Sequence, residues 1–206
     1  VSGDDLDNAA NNIIDLYERH ARDWDRERTR HLMEKPWFDR FSALLPGGAP
    51  VLDLGCGSGE PIAKYFIEQG FAVTGIDSSA TMISMCRKRF PAQEWWVADM
   101  QTLSLGKKFA GIIAWNSFFH LSYEDQRGMF AVFKQHAADE AVLLFTSGPS
   151  HGEAVGSYHD KPLFHASLDP SEYRSLLQAH GFSVVMYVAE DPDCGHHCVW
   201  LARRQQ

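Results

Sequence analysis

The sequence predicts an α/β fold: a seven-stranded, mostly parallel sheet with helices on both faces, an antiparallel last strand and a helical segment in front. Three observations predict it. Short β-branched runs alternate with longer stretches of helical period, at the spacing of a parallel sheet. Only about ten residues, Pro192 and Gly195 among them, part the last two runs, too few for a helical crossover. The 206 residues are 45% apolar and 22% charged, which suits one domain with one core and excludes disordered and fibrous classes.

The leading helix spans roughly Asp7–His31, within an N-terminal helical cap over 1–45. At about 100° per residue, Ile13, Ala21 and Trp24 fall on the face of Tyr17. Arg19, Arg22, Arg26 and Arg30 fall opposite, a row better explained as a solvated face salted with Glu18, Asp23 and Glu27 than as an anion site. Strands follow at Pro50–Leu54, Ala72–Ile76, Glu94–Ala98, Phe109–Trp115, Ala141–Thr146, Phe182–Val188 and His197–Ala202. Helices fall at Glu60–Gln69, Ser79–Phe90, Ser122–His136 and Pro170–His180, with Asp99–Lys108 only a loop.

Local chemistry agrees with these periods. Ser122 with Asp125 three residues on is a capping pattern, and Asp169-Pro170 sets a cap before a proline at the first helical position. Gly181 supplies a stop before the sixth strand. The stretch 148–169 shows no clear element; a loop this long is either a lid folding over a small molecule or a surface excursion with a short strand or turn.

A net charge of −8 disfavours a nucleic-acid partner. No apolar run is long enough to span a bilayer, and Val1-Ser2-Gly3 resembles a trimmed start rather than a signal. Four cysteines are too sparse for a disulfide framework, so reduced thiols and a cytoplasmic location are expected. Cys194-Gly195-His196-His197-Cys198 lacks metal-ligand spacing, and no metal is expected.

The chemistry concentrates in Val51-Leu52-Asp53-Leu54-Gly55-Cys56-Gly57-Ser58-Gly59, a buried strand running into a glycine turn ahead of a helix. Its G-x-G-x-G spacing is not the G-x-G-x-x-G of a dinucleotide site. Asp53, two residues before the first glycine, would repel pyrophosphate and favour a ligand with a cationic group. Gly75-Ile76-Asp77 ends the second strand, where a carboxylate can accept from both ribose hydroxyls. Asp99-Met100 follows the third strand, placing an acceptor for an adenine amino group beside a polarizable side chain. Trp115-Asn116-Ser117-Phe118-Phe119-His120 follows the fourth. All four segments lie past the carboxyl ends of expected strands, where open α/β sheets bind ligands.

With these motifs, from about Tyr17 to Arg203, the chain resembles the class I S-adenosylmethionine-dependent methyltransferases of small-molecule type, whose sheet is Rossmann-like. The resemblance implies S-adenosylmethionine as cofactor and a role for each matching position. Asp53 and the backbone of Gly55, Cys56 and Gly57 would hold the methionyl end, with Tyr17 reaching its carboxylate. Asp77 would take the ribose, and Ser78 and Met82 would border the adenosine. Asp99 and Met100 would face the adenine, and Trp115 would close the methionine side. Cys56 itself is read as a small packing residue, and a pyrophosphate-binding oxidoreductase is disfavoured.

Members that methylate nucleobase amino groups or a glutamine amide carry an Asn/Asp-Pro-Pro-aromatic tetrad after the fourth strand. Here the tetrad is replaced by Trp115-Asn116-Ser117-Phe118, without prolines, which favours a small-molecule acceptor. Trp24, Phe119, His120, Tyr158 and His165 are the candidate acceptor-binding residues. His120 is the candidate general base, with a packed or merely hydrogen-bonding histidine as the alternative. A protein that binds the cofactor without transferring methyl would need the same three carboxylates. The sequence specifies neither the acceptor nor the oligomeric state.

Overall fold

In the computed structural model, residue 10 and residues 12–205 are described. The expected helix start at Asp7 and the Val1-Ser2-Gly3 segment lie outside the described residues. Seven strands form one sheet: β1 (Pro50–Leu54), β2 (Ala72–Asp77), β3 (Glu94–Val97), β4 (Phe109–Ala114), β5 (Ala137–Ser147), β8 (Phe182–Asp191) and β9 (His197–Arg204). Their order is β3-β2-β1-β4-β5-β9-β8. β1 pairs in parallel with β2 and β4, and β9 pairs antiparallel with β5 and with β8, the latter as the short connection requires. Strand order reverses between β1 and β4, and a crevice opens at such a point beyond the strand ends.

Alternation along β1 divides the core in two. Leu52 and Leu54 pack with Phe130 and Phe133 of α5 (Tyr123–His136) and Leu177 of α6 (Pro170–Ala179). Val51 faces the other layer, with Phe38 and Phe41 of α2 (Lys35–Ala43), Phe66 of α3 (Ile62–Glu68) and Ile83 of α4 (Ala80–Arg89). Asp53 follows Val51 onto that second face and is itself buried. Ser122 caps α5 by accepting from Asp125 N at 3.2 Å, and Asp169 caps α6 by accepting from Ser171 N at 2.8 Å.

Three expectations change. The leading helix α1 (Ile13–Glu27) ends at Glu27 rather than His31, and the short helix α2 follows it, begun by Pro36 and held by buried Trp37, Phe38 and Phe41. Nine residues with a proline in the first turn give little periodicity to read. The stretch 148–169 carries a hairpin, β6 (Gly152–Tyr158) with β7 (Lys161–Ser167), a two-stranded sheet of its own. Its Phe164 packs with Ile13 and Tyr123. The loop after β3 contains a 3-10 turn at Met100–Thr102. All four cysteines are free, and among the described residues no helix is long and apolar enough to cross a membrane.

Candidate active site

The glycine turn after β1 is held by its neighbour: Gly55 N and Cys56 N both donate to Ile76 O, at 2.8 and 3.0 Å. Gly55 has φ 75°, and a Cβ there would collide with Ser117 Cβ, whose hydroxyl donates to Leu54 O at 2.7 Å. β1, its turn and the segment after β4 are thereby locked together. Asp77 closes the other side, accepting from Gly57 N at 2.9 Å and Ser79 N at 2.8 Å.

These elements and α1 enclose a cavity of about 400 Å³, within the range of small-molecule sites. All the cofactor positions assigned from sequence line it: Tyr17, Asp53, Gly55, Cys56, Gly57, Asp77, Ser78, Met82, Asp99, Met100 and Trp115. Trp24 and His120 line it too. Phe119, Tyr158 and His165 do not: Phe119 and His165 pack together beside His120, and Tyr158 lies elsewhere, against Trp24. Phe119 packs on His165 and His197, with ring centroids 5.1 and 6.1 Å apart. Tyr158 meets Trp24 at 5.5 Å, edge to face. The 3-10 turn Phe118–His120 is the cause, because three residues per turn send Phe118 into the core, Phe119 to the hairpin and His120 to the cavity.

α1 roofs the cavity through two anchors on α4. Glu18 accepts from Ser79 Oγ at 2.5 Å and from Thr81 Oγ1 at 2.7 Å, and these bonds hold its carboxyl below the usual range. Asp25 takes Arg89 in a two-pronged pair at 2.7 and 2.6 Å. Glu18, expected on a solvated face, is thus a docking residue. No feature of its local sequence marks it, since its partners lie more than sixty residues away.

Burial strains one carboxyl in the cavity and leaves two polar atoms there without partners. Burial, with the Asp77 charge adding to it, pushes the Asp53 carboxyl up to about 7, and Arg28 pulls the other way. Asp53 Oδ2 and Trp115 Nε1 are buried with no hydrogen-bond partner among the described residues. Arg28, which the sequence reading missed, also lines the cavity, its guanidinium 5.7 Å over the Trp24 ring. It sits just past the last turn of α1 at φ −60°, ψ 127°, so helical periodicity does not place it.

His120 is buried, and desolvation pushes its imidazole down to about 4, so the ring is neutral near pH 7. Its Nδ1 lies 2.7 Å from Phe164 O, which can only accept, so Nδ1 carries the proton. Nε2 is left as an acceptor and takes the Tyr17 hydroxyl at 3.0 Å. The two cysteines near the chain's end pack inward; Cys198 Sγ accepts from Glu190 N at 3.3 Å.

Residues 51–140 match the methyltransferase domain family. The chain is similar to the dTDP-3-amino-3,4,6-trideoxy-α-D-glucopyranose N,N-dimethyltransferase of Streptomyces venezuelae, 27% identical over 108 residues, covering 52% of this chain and 45% of that one. The chain spans between about a quarter and three fifths of the length of the curated relatives it matches. In fold it is similar to the 1,6-didemethyltoxoflavin-N1-methyltransferase of Burkholderia thailandensis, solved with 1,6-didemethyltoxoflavin and S-adenosylhomocysteine bound. The TM-score is 0.74 at 19% identity, over 100% of this chain and 92% of that one. CalS10, an amino pentose methyltransferase of Micromonospora echinaspora solved with S-adenosylmethionine, aligns with TM-score 0.69 at 19% identity, over 92% of this chain and 97% of that one.

Proposed function

We infer, for a chain that has the domain and the fold of the class I S-adenosylmethionine-dependent methyltransferases, that it transfers a methyl group from S-adenosylmethionine to a small-molecule acceptor. The observation that carries this reading is a pair of unmatched opposite charges lining one cavity. Asp53 Oδ2 is buried and unpartnered, and the Arg28 guanidinium lies over the Trp24 ring, with the Asp53 and Glu34 charges acting on it only through space. An amino-acid end, with an ammonium and a carboxylate, would satisfy both at once, whereas pyrophosphate would satisfy only Arg28 and repel Asp53.

The rest of the lining fits the same cofactor. Asp77 is already oriented by two backbone amides and keeps lone pairs for ribose hydroxyls. Asp99 and Met100 would face the adenine, with Ser78 and Met82 along the nucleoside. Gly57 leaves its backbone bare beside Met82 Sδ, 3.6 Å from where a Cβ would stand. Bound there, the cofactor supplies an electrophilic sulfonium methyl for in-line displacement.

The protein's own work is alignment, which in well-oriented systems is worth up to ~7–11 kcal/mol. Tyr17, Trp24 and Trp115 exclude water and present aromatic faces that favour a cation by ~0.5–2 kcal/mol. His120 offers a fixed Nε2 lone pair to an N–H or O–H of the acceptor, exchanging the Tyr17 hydroxyl for it. With its pKa near 4, it suits orienting a nucleophile better than removing a proton at neutral pH. Ile13, Ile14 and Leu121 with Asn116, Ser122 and Asp125 supply a mixed apolar and polar wall that suits a small metabolite.

Calorimetric titration of the full chain with S-adenosylhomocysteine and with NADH tests the cofactor, with binding of the first alone expected. Binding of NADH alone would overturn the reading. Incubation with isotope-labelled S-adenosylmethionine and a metabolite extract should then yield a product heavier by one labelled methyl. Cofactor binding without any such product would support the non-transferring alternative.

A further inference from the structure

Outside the cavity, the tip of the β6–β7 hairpin lies against α1, and the side chains that meet there are ligand types. His20 and Asp23 stand three residues apart on α1, on one edge of the helix. His159 reaches them from a tight turn in which His159 and Asp160 both take left-handed backbone angles, φ 49° and 59°. The two imidazoles stack, with centroids 4.7 Å apart and planes 24° from parallel. One ligand atom from each of His20, Asp23 and His159 lies within 4.8 Å of the others.

The polar bonds around the cluster leave it incomplete. Asp23 Oδ1 accepts from Arg26 Nη2 at 2.6 Å, and its Oδ2 lies 3.8 Å from His20 Nδ1. His20 Nε2 is buried with no hydrogen-bond partner among the described residues. His159 Nε2 lies 3.2 Å from Glu27 Oε2, which also accepts from the Tyr158 hydroxyl at 3.2 Å. Two carboxylates, Asp23 and Glu27, thus face one cation, Arg26, which touches both. The surplus is negative.

We propose that His20, Asp23 and His159 form a binding site for a divalent transition-metal ion of the imidazole-preferring class, zinc first, which ties the hairpin tip to α1. Two imidazoles and a carboxylate match that class, whereas magnesium and calcium take oxygen ligands. Around a tetrahedral ion with bonds of about 2.0–2.2 Å, ligand atoms stand roughly 3.3–3.6 Å apart. Drawing the present atoms in from 4.8 Å is a side-chain adjustment, available because these groups are partly exposed: 18% for His20 and 34% each for Asp23 and His159. Water would complete the coordination. Tyr158, next to His159, packs on Trp24 and Trp24 lines the cavity, so the ion would stiffen the cavity's outer wall. This site is independent of the cofactor assignment.

The test is zinc binding to the chelator-stripped full chain, measured by competition with a chromogenic chelator, with magnesium and calcium as further arms. One equivalent of zinc is expected to bind with a micromolar Kd, and neither alkaline-earth ion should compete. His159→Gln and Asp23→Asn should each weaken zinc binding at least tenfold while keeping the far-ultraviolet circular-dichroism spectrum of the parent chain, which reports an intact fold. Cobalt bound in place of zinc should show visible absorption that His159→Gln abolishes. Absence of saturable zinc binding would overturn the proposal. So would one-equivalent binding indifferent to both substitutions, because it would place the ion elsewhere.

Discussion

The Tyr17 hydroxyl donates to His120 Nε2 at 3.0 Å, and through it the roof helix is tied to the segment that follows β4. His120 is buried, so Tyr17→Phe strands its Nε2 without a donor. An orphaned buried acceptor costs about 1–3 kcal/mol. The urea midpoint of Tyr17→Phe is expected to fall accordingly with an unchanged slope. In a His120→Ala background the same substitution should cost much less, because the stranded atom is gone. Equal losses in the two backgrounds would show that the bond contributes nothing.

Asp53 sets stability against binding. Burial lifts its carboxyl from an unfolded-chain value of about 4 to about 7, so the folded state holds that proton more tightly. Its contribution to the ligand-free fold is full below about pH 4 and is lost as pH rises through about 7. Asp53→Asn should therefore raise the melting temperature of the ligand-free protein at pH 8, by an amount worth up to a few kcal/mol. It should also cost S-adenosylhomocysteine affinity. In the parent protein that affinity should rise between pH 6 and 8 as Asp53 ionises, and Asp53→Asn should flatten the rise. A curve with its inflection unchanged in the variant would assign the titration to another group.

Gly55 is where backbone angle and space agree. Its φ of 75° disfavours any side chain, and Ser117 occupies the volume a Cβ would need. Gly55→Ala should destabilise the protein by more than the ~1 kcal/mol of the backbone angle alone, because the Ser117 bond to Leu54 O must move as well. Adding Ser117→Gly should recover part of the loss in a denaturant melt. No recovery would locate the cost in the backbone angle rather than the collision.

The strands, their capped helices and the acidic positions at the strand ends were legible because each is a local signal. A β-branched run, a Ser122 with its Asp125, and an Asp77 just after Gly75 can be read within a few residues. What escaped depends on distance in the chain. Glu18 is a docking residue only because Ser79 and Thr81 come to it through the fold. Phe119, expected at the cavity, was rotated away by a 3-10 turn that three residues of sequence do not announce. The hairpin over 152–167 was equally hidden, since its β6 half is largely exposed, holds two glycines and shows no buried alternation to read.

Arg28 provides the sharpest separation between the two ends of the inferred ligand. Its guanidinium is drawn below its ordinary value by burial, opposed by the nearby Glu34 and Asp53 charges, and it remains a cation at neutral pH. Arg28→Met keeps most of the stem that packs over Trp24 and removes the charge. If the guanidinium holds the ligand's carboxylate, S-adenosylhomocysteine should bind about 10–100-fold more weakly to the variant, the scale of a charged hydrogen bond at ~1.5–3 kcal/mol. A decarboxylated analogue should bind weakly to the parent and no worse to the variant. Asp53→Asn should weaken that analogue too, because the amine remains. Loss of one favourable charge should also lift the Asp53 titration further, moving the pH dependence of binding upward in Arg28→Met. An equal loss of both ligands on Arg28→Met would mean that Arg28 supports the wall of the cavity and does not contact the carboxylate.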